Sequence, residues 1–283
     1  MSRPPTFVLP PCARARTLTT ARGDFAALEG TPDGPPRGTV LLLPGFTGSK
    51  EDFTTMLEPL ARSGYRAFAV DGRGQYETPG PDTEEAYAQR ELAADVLAQT
   101  EAIGAPVHLV GHSMGGQVAR VAVLTDPSPF RSLTLMCSGP AEISPSQQER
   151  VKLLQDVLPV ITMEQVWDAF QTMEPPEELT AQDGALMRAR WLRNNPLQLA
   201  VTSRQLATEP DRVDQLTALR PPLPMYVLSG ERDDTWPVPL LDEMAHRLRA
   251  RRTVIEGAEH SPNTDRPLET TAALTDFWEL YGG

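Results

Sequence analysis

Apolar residues in this chain fall into two kinds of run. Short stretches at Thr39–Leu43, Tyr65–Val70, Pro106–Val110, Ser132–Cys137, Met225–Ser229 and Thr253–Glu256 have the length of strands, and Thr39–Leu43 is fully apolar, as expected in a parallel sheet covered on both faces. Between them lie segments with apolar residues at helical spacing. Ser49 with Asp52 three residues on marks a helix start, and that helix runs to about Ser63. A second helix covers about Glu84 to Ile103, with Ala88, Leu92, Val96 and Ile103 on one face. A third follows Ser113, with Val118, Val121, Ala122 and Leu124 as its stripe. Pro239–Ala250 is another helix, and Leu268–Tyr281 closes the chain with Leu268, Thr271, Leu274, Trp278 and Tyr281 facing inward. Near the start, Thr17–Thr20 and Asp24–Leu28 flank Ala21-Arg22-Gly23 as a short hairpin, and residues 30–38 are a Gly/Pro loop. Alternating strands and helices with short connections predict an α/β fold, a mostly parallel central sheet flanked by helices and joined by right-handed crossovers.

The alternation stops at Gly139. Residues 140–220 carry helical signals and no convincing strand. Ser146 with Glu149, and Thr162 with Gln165, both fit capping boxes, and Met163, Val166, Trp167, Phe170 and Met173 share a helical face. The pattern therefore divides the chain into a first core part (1–139), an inserted all-helical cap (140–220) and a second core part (221–283).

With 283 residues the chain can bury a sizeable core, and 40% hydrophobic against 23% charged residues describes a globular protein. The formal net charge of -12 argues against nucleic acid and anionic membrane as partners, because both repel an acidic surface. The residues Arg249, Arg251 and Arg252 read as a solvated helix end rather than a basic patch. Cys12 and Cys137 make no disulfide framework, and neither Cys-x-x-Cys nor His-Glu-x-x-His occurs, so no metal site is predicted. Cys137 ends an apolar run and reads as a small core residue. Met1 to Pro11 is proline-rich without a signal-type apolar core, and no run of about eighteen apolar residues suggests a span. A cytoplasmic location is the expectation.

Chemistry concentrates where the Pro106–Val110 run ends in Gly111-His112-Ser113-Met114-Gly115-Gly116, with a helix following at once. Gly-x-Ser-x-Gly alone is a weak signal. Between a strand and a helix it becomes a nucleophile elbow, a strained turn that lifts a serine hydroxyl clear of the sheet. The amide of Met114 is then one donor for an oxyanion, and a second is expected from the loop after Leu43, at Phe46. A serine needs a base, and four histidines compete. His108 lies within the strand, His112 should point away from its neighbour Ser113, and His246 sits mid-helix. His260 occupies the loop after the last strand, at the carboxyl edge where sites assemble in open α/β sheets. The base in turn needs a carboxylate, and the loop after Ser229 offers Glu231, Asp233 and Asp234. Position alone leaves these three open.

Taken together the motifs resemble the α/β-hydrolases of the serine type. Ser113, an acid and His260 follow in that family's chain order. Gly230-x-x-Asp233-x-x-x-Pro237 resembles its acid loop, which favours Asp233, and Gly257-x-x-His260 with Arg266-Pro267 resembles its histidine loop and last helix. Two positions depart from the family's common forms. Pro44-Gly45 replaces His-Gly before the oxyanion residue, and Tyr76 follows Arg73-Gly74-Gln75 where a second glycine is frequent. Asp71, which begins that motif, is taken as structural. A serine at the elbow argues against relatives that open epoxides or remove halides with an aspartate.

The resemblance implies a cofactor-free hydrolase that cleaves a carboxylic ester, lactone or thioester through an acyl-enzyme on Ser113. Phe46, Tyr76, Trp167, Phe170 and Trp191 are the candidate pocket residues for a small-molecule acyl substrate, apolar on the acyl side. The cap aromatics would serve equally as the cap's own core. Acyl transfer, cofactor-free perhydrolysis and carbon–carbon cleavage share the same three residues, and a non-catalytic ligand-binding member of the fold is the alternative outside enzymes.

Overall fold

A computed structural model of the chain describes residues 2–173 and 181–281. Met1, residues 174–180 of the inserted segment, Gly282, Gly283 and the side chains of Met173 and Ala181 lie outside the described residues. Strands β1 (Ala13–Thr20) and β2 (Gly23–Gly30) form an antiparallel hairpin, followed by β3 (Gly38–Leu43), helix α1 (Thr54–Arg62) and β4 (Tyr65–Val70). Then come α2 (Gln89–Ile103), β5 (Val107–His112), α3 (Met114–Thr125) and β6 (Phe130–Met136). Helices α4 (Pro145–Val157), α5 (Met163–Met173), α6 (Ala181–Leu192), α7 (Pro196–Thr208) and α8 (Val213–Thr217) precede β7 (Met225–Gly230). The chain ends with α9 (Val238–Leu248), β8 (Arg251–Ile255), α10 (Pro262–Asp265) and α11 (Pro267–Glu279).

Among the described residues the strands make one sheet in the order β1-β2-β4-β3-β5-β6-β7-β8. β2 meets β4 antiparallel, and from β4 to β8 every pairing is parallel. The continuous apolar runs follow from burial on both faces. Leu41, Leu43, Phe68, Leu109 and Leu135 pack with Val96 of α2, Ala119 of α3 and Met244 of α9. Their neighbours Val40, Leu42, Ala67 and Val110 pack with Met56 and Leu60 of α1 and Leu274 and Trp278 of α11. Strands β3 to β7 thus send alternate side chains into two separate apolar layers, whereas β8, at the sheet's edge, buries only Ile255.

Several element boundaries differ from the pattern. Lys50–Phe53 is a 3₁₀ turn ahead of α1, and Glu84–Tyr87 is another, cut off from α2 by Ala88 in an extended conformation (ψ 141°). Arg251 and Arg252 belong to β8, and Arg252 pairs with Asp242 and Ser229. In the closing helix Thr271, Leu274 and Trp278 of the predicted stripe are buried, but Leu268 and Tyr281 at its ends are exposed, while Thr270, Thr275 and Phe277 join the buried face. Thr270 and Thr275 donate their hydroxyls to the carbonyls of Pro262 and Thr271, which removes the penalty of burying them. Ser146 is not a cap, because α4 starts at Pro145 after Ser144. The Thr162–Gln165 box forms as read, with both reciprocal bonds present.

The inserted helices carry a third apolar cluster of their own, centred on Leu154, Leu158, Val166, Trp167, Met187 and Trp191. Two buried ion pairs attach this segment to the sheet domain. Arg190 on α6 donates to Asp52 (2.9 Å) and Ser49 and holds the carbonyl of Ser2. Arg120 on α3, fully buried, donates to the carbonyls of Gly139 (2.8 Å) and Pro140 (2.7 Å) and pairs with Glu209. Burial lowers its guanidinium to about 10, which leaves it charged at neutral pH. Among the described residues no helix is long and apolar enough to cross a membrane.

Two histidines of the central strand are buried neutral. His108 stacks on Trp278 and shares a hydrogen bond with Ser132 (2.8 Å), and His112 closes the strand. Burial, with the charge of Arg131 beside His108 and of His260 beside His112, lowers each from 6.5 to about 4. Between those values the unfolded chain binds protons the folded chain refuses. Stability from these groups is therefore complete above about pH 6.5 and falls as pH drops toward 4, by on the order of 3 kcal/mol for each. Urea unfolding of wild type and His108→Gln across this range should give curves that converge at low pH. Parallel curves would show that His108 does not titrate as described.

Candidate active site

The site forms where β3, β5, β7 and β8 end, because parallel strands bring all their carboxyl-side loops to one edge. At the end of β5 the chain reverses into α3 within one residue, Ser113, held at φ 53° and ψ -119°. A non-glycine residue adopts this backbone only when its surroundings enforce it. Here they do so by backbone contact. A Cβ on Gly111 would lie 2.4 Å from the Gly115 carbonyl oxygen, and one on Gly115 would lie 2.5 Å from that of Leu43. The start of α3 sits directly on β5 and on the end of β3, so Ser113 has one place to go.

His260, after β8, puts Nε2 3.1 Å from Ser113 Oγ. Its Nδ1 lies 2.9 Å from Asp233 Oδ1, in the loop after β7. The same Oδ1 accepts the amides of Thr235 (2.9 Å) and Trp236 (3.2 Å). Burial alone would push the Asp233 carboxyl up. The His260 hydrogen bond and charge, with the two amides, outweigh it and hold the group below its ordinary value. Of the three acids left open by position, the structure brings Asp233 to the histidine. Asp234 points to solvent and accepts from Gln147 (2.7 Å), and Glu231 accepts the amide of Gly257.

The loop after β3 packs against the serine: a Cβ on Gly45 would lie 3.3 Å from Ser113 Cβ. Among the described residues the amides of Phe46 and Met114 donate to no protein acceptor, and Met114 is the first residue of α3. Two neighbours that pattern reading did not assign to the site support these parts. Gln75 Nε2 donates to the carbonyl of Gly45 (2.9 Å) and so braces the loop. His112 Nε2 donates to the carbonyl of His260 (2.8 Å), fixing the histidine loop from beneath. The sharp turn does send His112 away from Ser113, but toward His260 rather than out of the site. Asp71 is structural as read, holding the amide and ammonium of Lys50. His246 is exposed on α9, and His108 is in the core.

A cavity of about 490 Å³ opens onto Ser113 and His260. Phe46 and Phe170 line it, as predicted, but Tyr76, Trp167 and Trp191 do not. Tyr76 is turned aside at φ 39° and lies between the Lys50 ammonium (4.5 Å) and the Arg193 guanidinium (5.1 Å). Trp167 and Trp191 are buried among the inserted helices, where the Trp191 indole donates to the Met163 carbonyl. Apolar spacing marks a buried helix face without saying what covers it. The walls are instead Ile143, Val151, Leu154 and Leu206, with Gln147, Arg150 and Asp234 at a polar end. One face of α4 supplies Gln147, Arg150, Val151 and Leu154, at spacings of three, four and seven residues. For a metal, Cys137, Asp233 and His260 bring ligand atoms within 4.8 Å of one another, but the Asp233 and His260 atoms are already bonded to each other.

Residues 40–274 match the Alpha/beta hydrolase family. The 2-hydroxy-6-oxononadienedioate/2-hydroxy-6-oxononatrienedioate hydrolase of Cupriavidus pinatubonensis is 30% identical over 238 residues, 78% of this chain and 79% of that protein. The pimeloyl-[acyl-carrier protein] methyl ester esterase of Aeromonas hydrophila is 28% identical over 229 residues, 77% and 87% of the two chains. Among solved structures, an esterase from Exiguobacterium antarcticum shares the fold with a TM-score of 0.76 over 94% of this chain and 100% of that one, at 17% identity. The match over most of its length, on this sheet and with these relatives, makes the chain a hydrolytic enzyme of the alpha/beta hydrolase family.

Proposed function

We propose that the protein is a serine hydrolase acting on a carboxylic ester, lactone or thioester of a small molecule. The observation that carries this reading is the unbroken relay Ser113 Oγ, His260 Nε2, His260 Nδ1 and Asp233 Oδ1, with both links in hydrogen-bond range and the serine open to the cavity. Ser113 attacks the acyl carbon while His260 takes its proton and then returns it to the leaving oxygen or sulfur. Asp233 fixes the tautomer and balances the imidazolium. The amides of Phe46 and Met114 receive the oxyanion, and water releases the acid from the acyl-serine. The segment 140–220 acts as a cap over the site, and its α4 face gives the acyl group an apolar wall.

A second reading is hydrolysis of a carbon–carbon bond, supported by the name of the relative from Cupriavidus pinatubonensis. The leaving group is then carbon and must receive a proton there. An assay with a vinylogous diketone beside simple esters separates the two.

Ser113→Ala should lower turnover of a p-nitrophenyl ester by about 10⁴-fold or more with the fold intact by circular dichroism. Activity surviving at wild-type level would exclude Ser113 as nucleophile. Asp233→Asn should cost far more than Asp234→Asn, since only Asp233 faces the histidine; the reverse order would move the acid by one position. Across acetyl to palmitoyl esters kcat/KM should peak at an intermediate chain length set by the cavity, and a steady rise to the longest ester would show that the acyl chain leaves it.

A further inference from the structure

The hydrogen bonds of Asp233 are one-sided. Oδ1 receives the His260 ring and the amides of Thr235 and Trp236. Oδ2 is equally buried and has no hydrogen-bond partner among the described residues. An ionised carboxylate has about four acceptor positions, and leaving one oxygen dry and unmet in the interior is costly. The side chain placed to meet it is Cys137. Its sulfur, fully buried, lies within 4.8 Å of both the Asp233 carboxylate and the His260 ring.

Two further features fit a directed thiol. Cys137 follows β6 with φ 46°, a left-handed backbone that a non-glycine residue adopts only under constraint. A glycine would relieve that strain but would carry no donor. The thiol also has no strong competing acceptor. Its hydrogen bond to the Glu259 carbonyl is long, at 3.9 Å. Turning the S–H about the Cβ–Sγ bond, with a small shift of the side chain, brings the proton from that carbonyl toward the Asp233 carboxylate.

We propose that Cys137 is a positioning residue of this site, its S–H donating to Oδ2 of Asp233 so that the carboxylate is held from both oxygens while His260 carries charge. The proposal rests on the serine-hydrolase reading above. Burial pushes the thiol well above its ordinary range, and the neighbouring Asp233 charge pushes it the same way, so it stays protonated and remains a donor. Without it the share of the charge on Oδ2 meets no donor and Asp233 binds a proton more readily, so the histidine–carboxylate pair leaves its active form at a higher pH.

The test compares the full chain carrying Cys137→Ala, Cys137→Gly, Cys137→Ser or Ser113→Ala with wild type, on the p-nitrophenyl ester turned over best. The active fraction of each Cys137 variant is titrated with a fluorophosphonate, and kcat and KM are read from about pH 5 to 9. Cys137→Ala and Cys137→Gly should each lose roughly tenfold in kcat with KM within about twofold, and the acid limb should move to higher pH. The Gly variant relaxes the backbone and keeps the test readable if Ala folds poorly. Cys137→Ser, which keeps a donor in a smaller side chain, should retain the wild-type limb and most of kcat. Equal losses in Ser, Ala and Gly would mean that Cys137 only fills space, and that outcome overturns the proposal. Wild-type rates in Ala or Gly, or a loss without a shift of the limb, overturn it as well while leaving the serine reading standing. Full activity in Ser113→Ala would remove that reading and this proposal with it.

Discussion

Backbone contact at the end of β5 is the constraint on which the rest depends. With no side chain at Gly111 or Gly115, α3 settles against the carbonyls of Leu43 and of its own strand until no gap remains. That closeness fixes Ser113 in a conformation the residue would not choose and turns its hydroxyl out over the edge of the sheet. The loop after β3 abuts the same turn, so Phe46 and Met114 present their amides on adjoining backbones. Parallel strand order does the remainder: β7 and β8 end beside β5 and β6 and deliver Asp233 and His260 to one place. The site is a consequence of close packing first and of side-chain chemistry second.

Electrostatics then separates residues that composition makes look alike. Asp233 and Asp234 are consecutive, yet one is buried under two amides and a histidine while the other faces solvent beside Gln147. Burial makes the Asp233 charge expensive, and the donors around it reverse that cost. The same burial keeps His112 neutral, so it can give its Nε2 proton to the His260 carbonyl without adding a second positive charge to the site.

Much of this was legible in the residues. Fully apolar strands, the glycines around Ser113 and the placement of His260 after the last strand each have a local physical cause, and the structure joins Ser113, His260 and Asp233 as that reading expected. Choosing Asp233 over Asp234 needed the family resemblance, since adjacent acids share every local signal. Trp167 and Trp191 form the core of the inserted helices, the other of the two uses left open for them, because periodicity reports that a face is covered and not by what; Tyr76, placed by its loop, turns instead between two cations. Gln75 and His112 act through backbone carbonyls, and a polar side chain carries no sequence mark of a carbonyl more than twenty residues away. Thr270 and Thr275 of α11 were missed because the hydroxyl partners that make them acceptable inside lie in the backbone.

Arg120 has a mechanical consequence. One guanidinium holds Gly139 and Pro140, where the chain leaves the sheet for the inserted helices, and also Glu209, near where it returns. Both ends of the insertion are thereby riveted to a single bolt, set two turns along the helix that begins beside Ser113. Neither end leaves the sheet by itself, because freeing it would strand a buried charge. Between them Arg190 pins α6 in the same way, so two buried cations set how this segment sits on the frame around the serine.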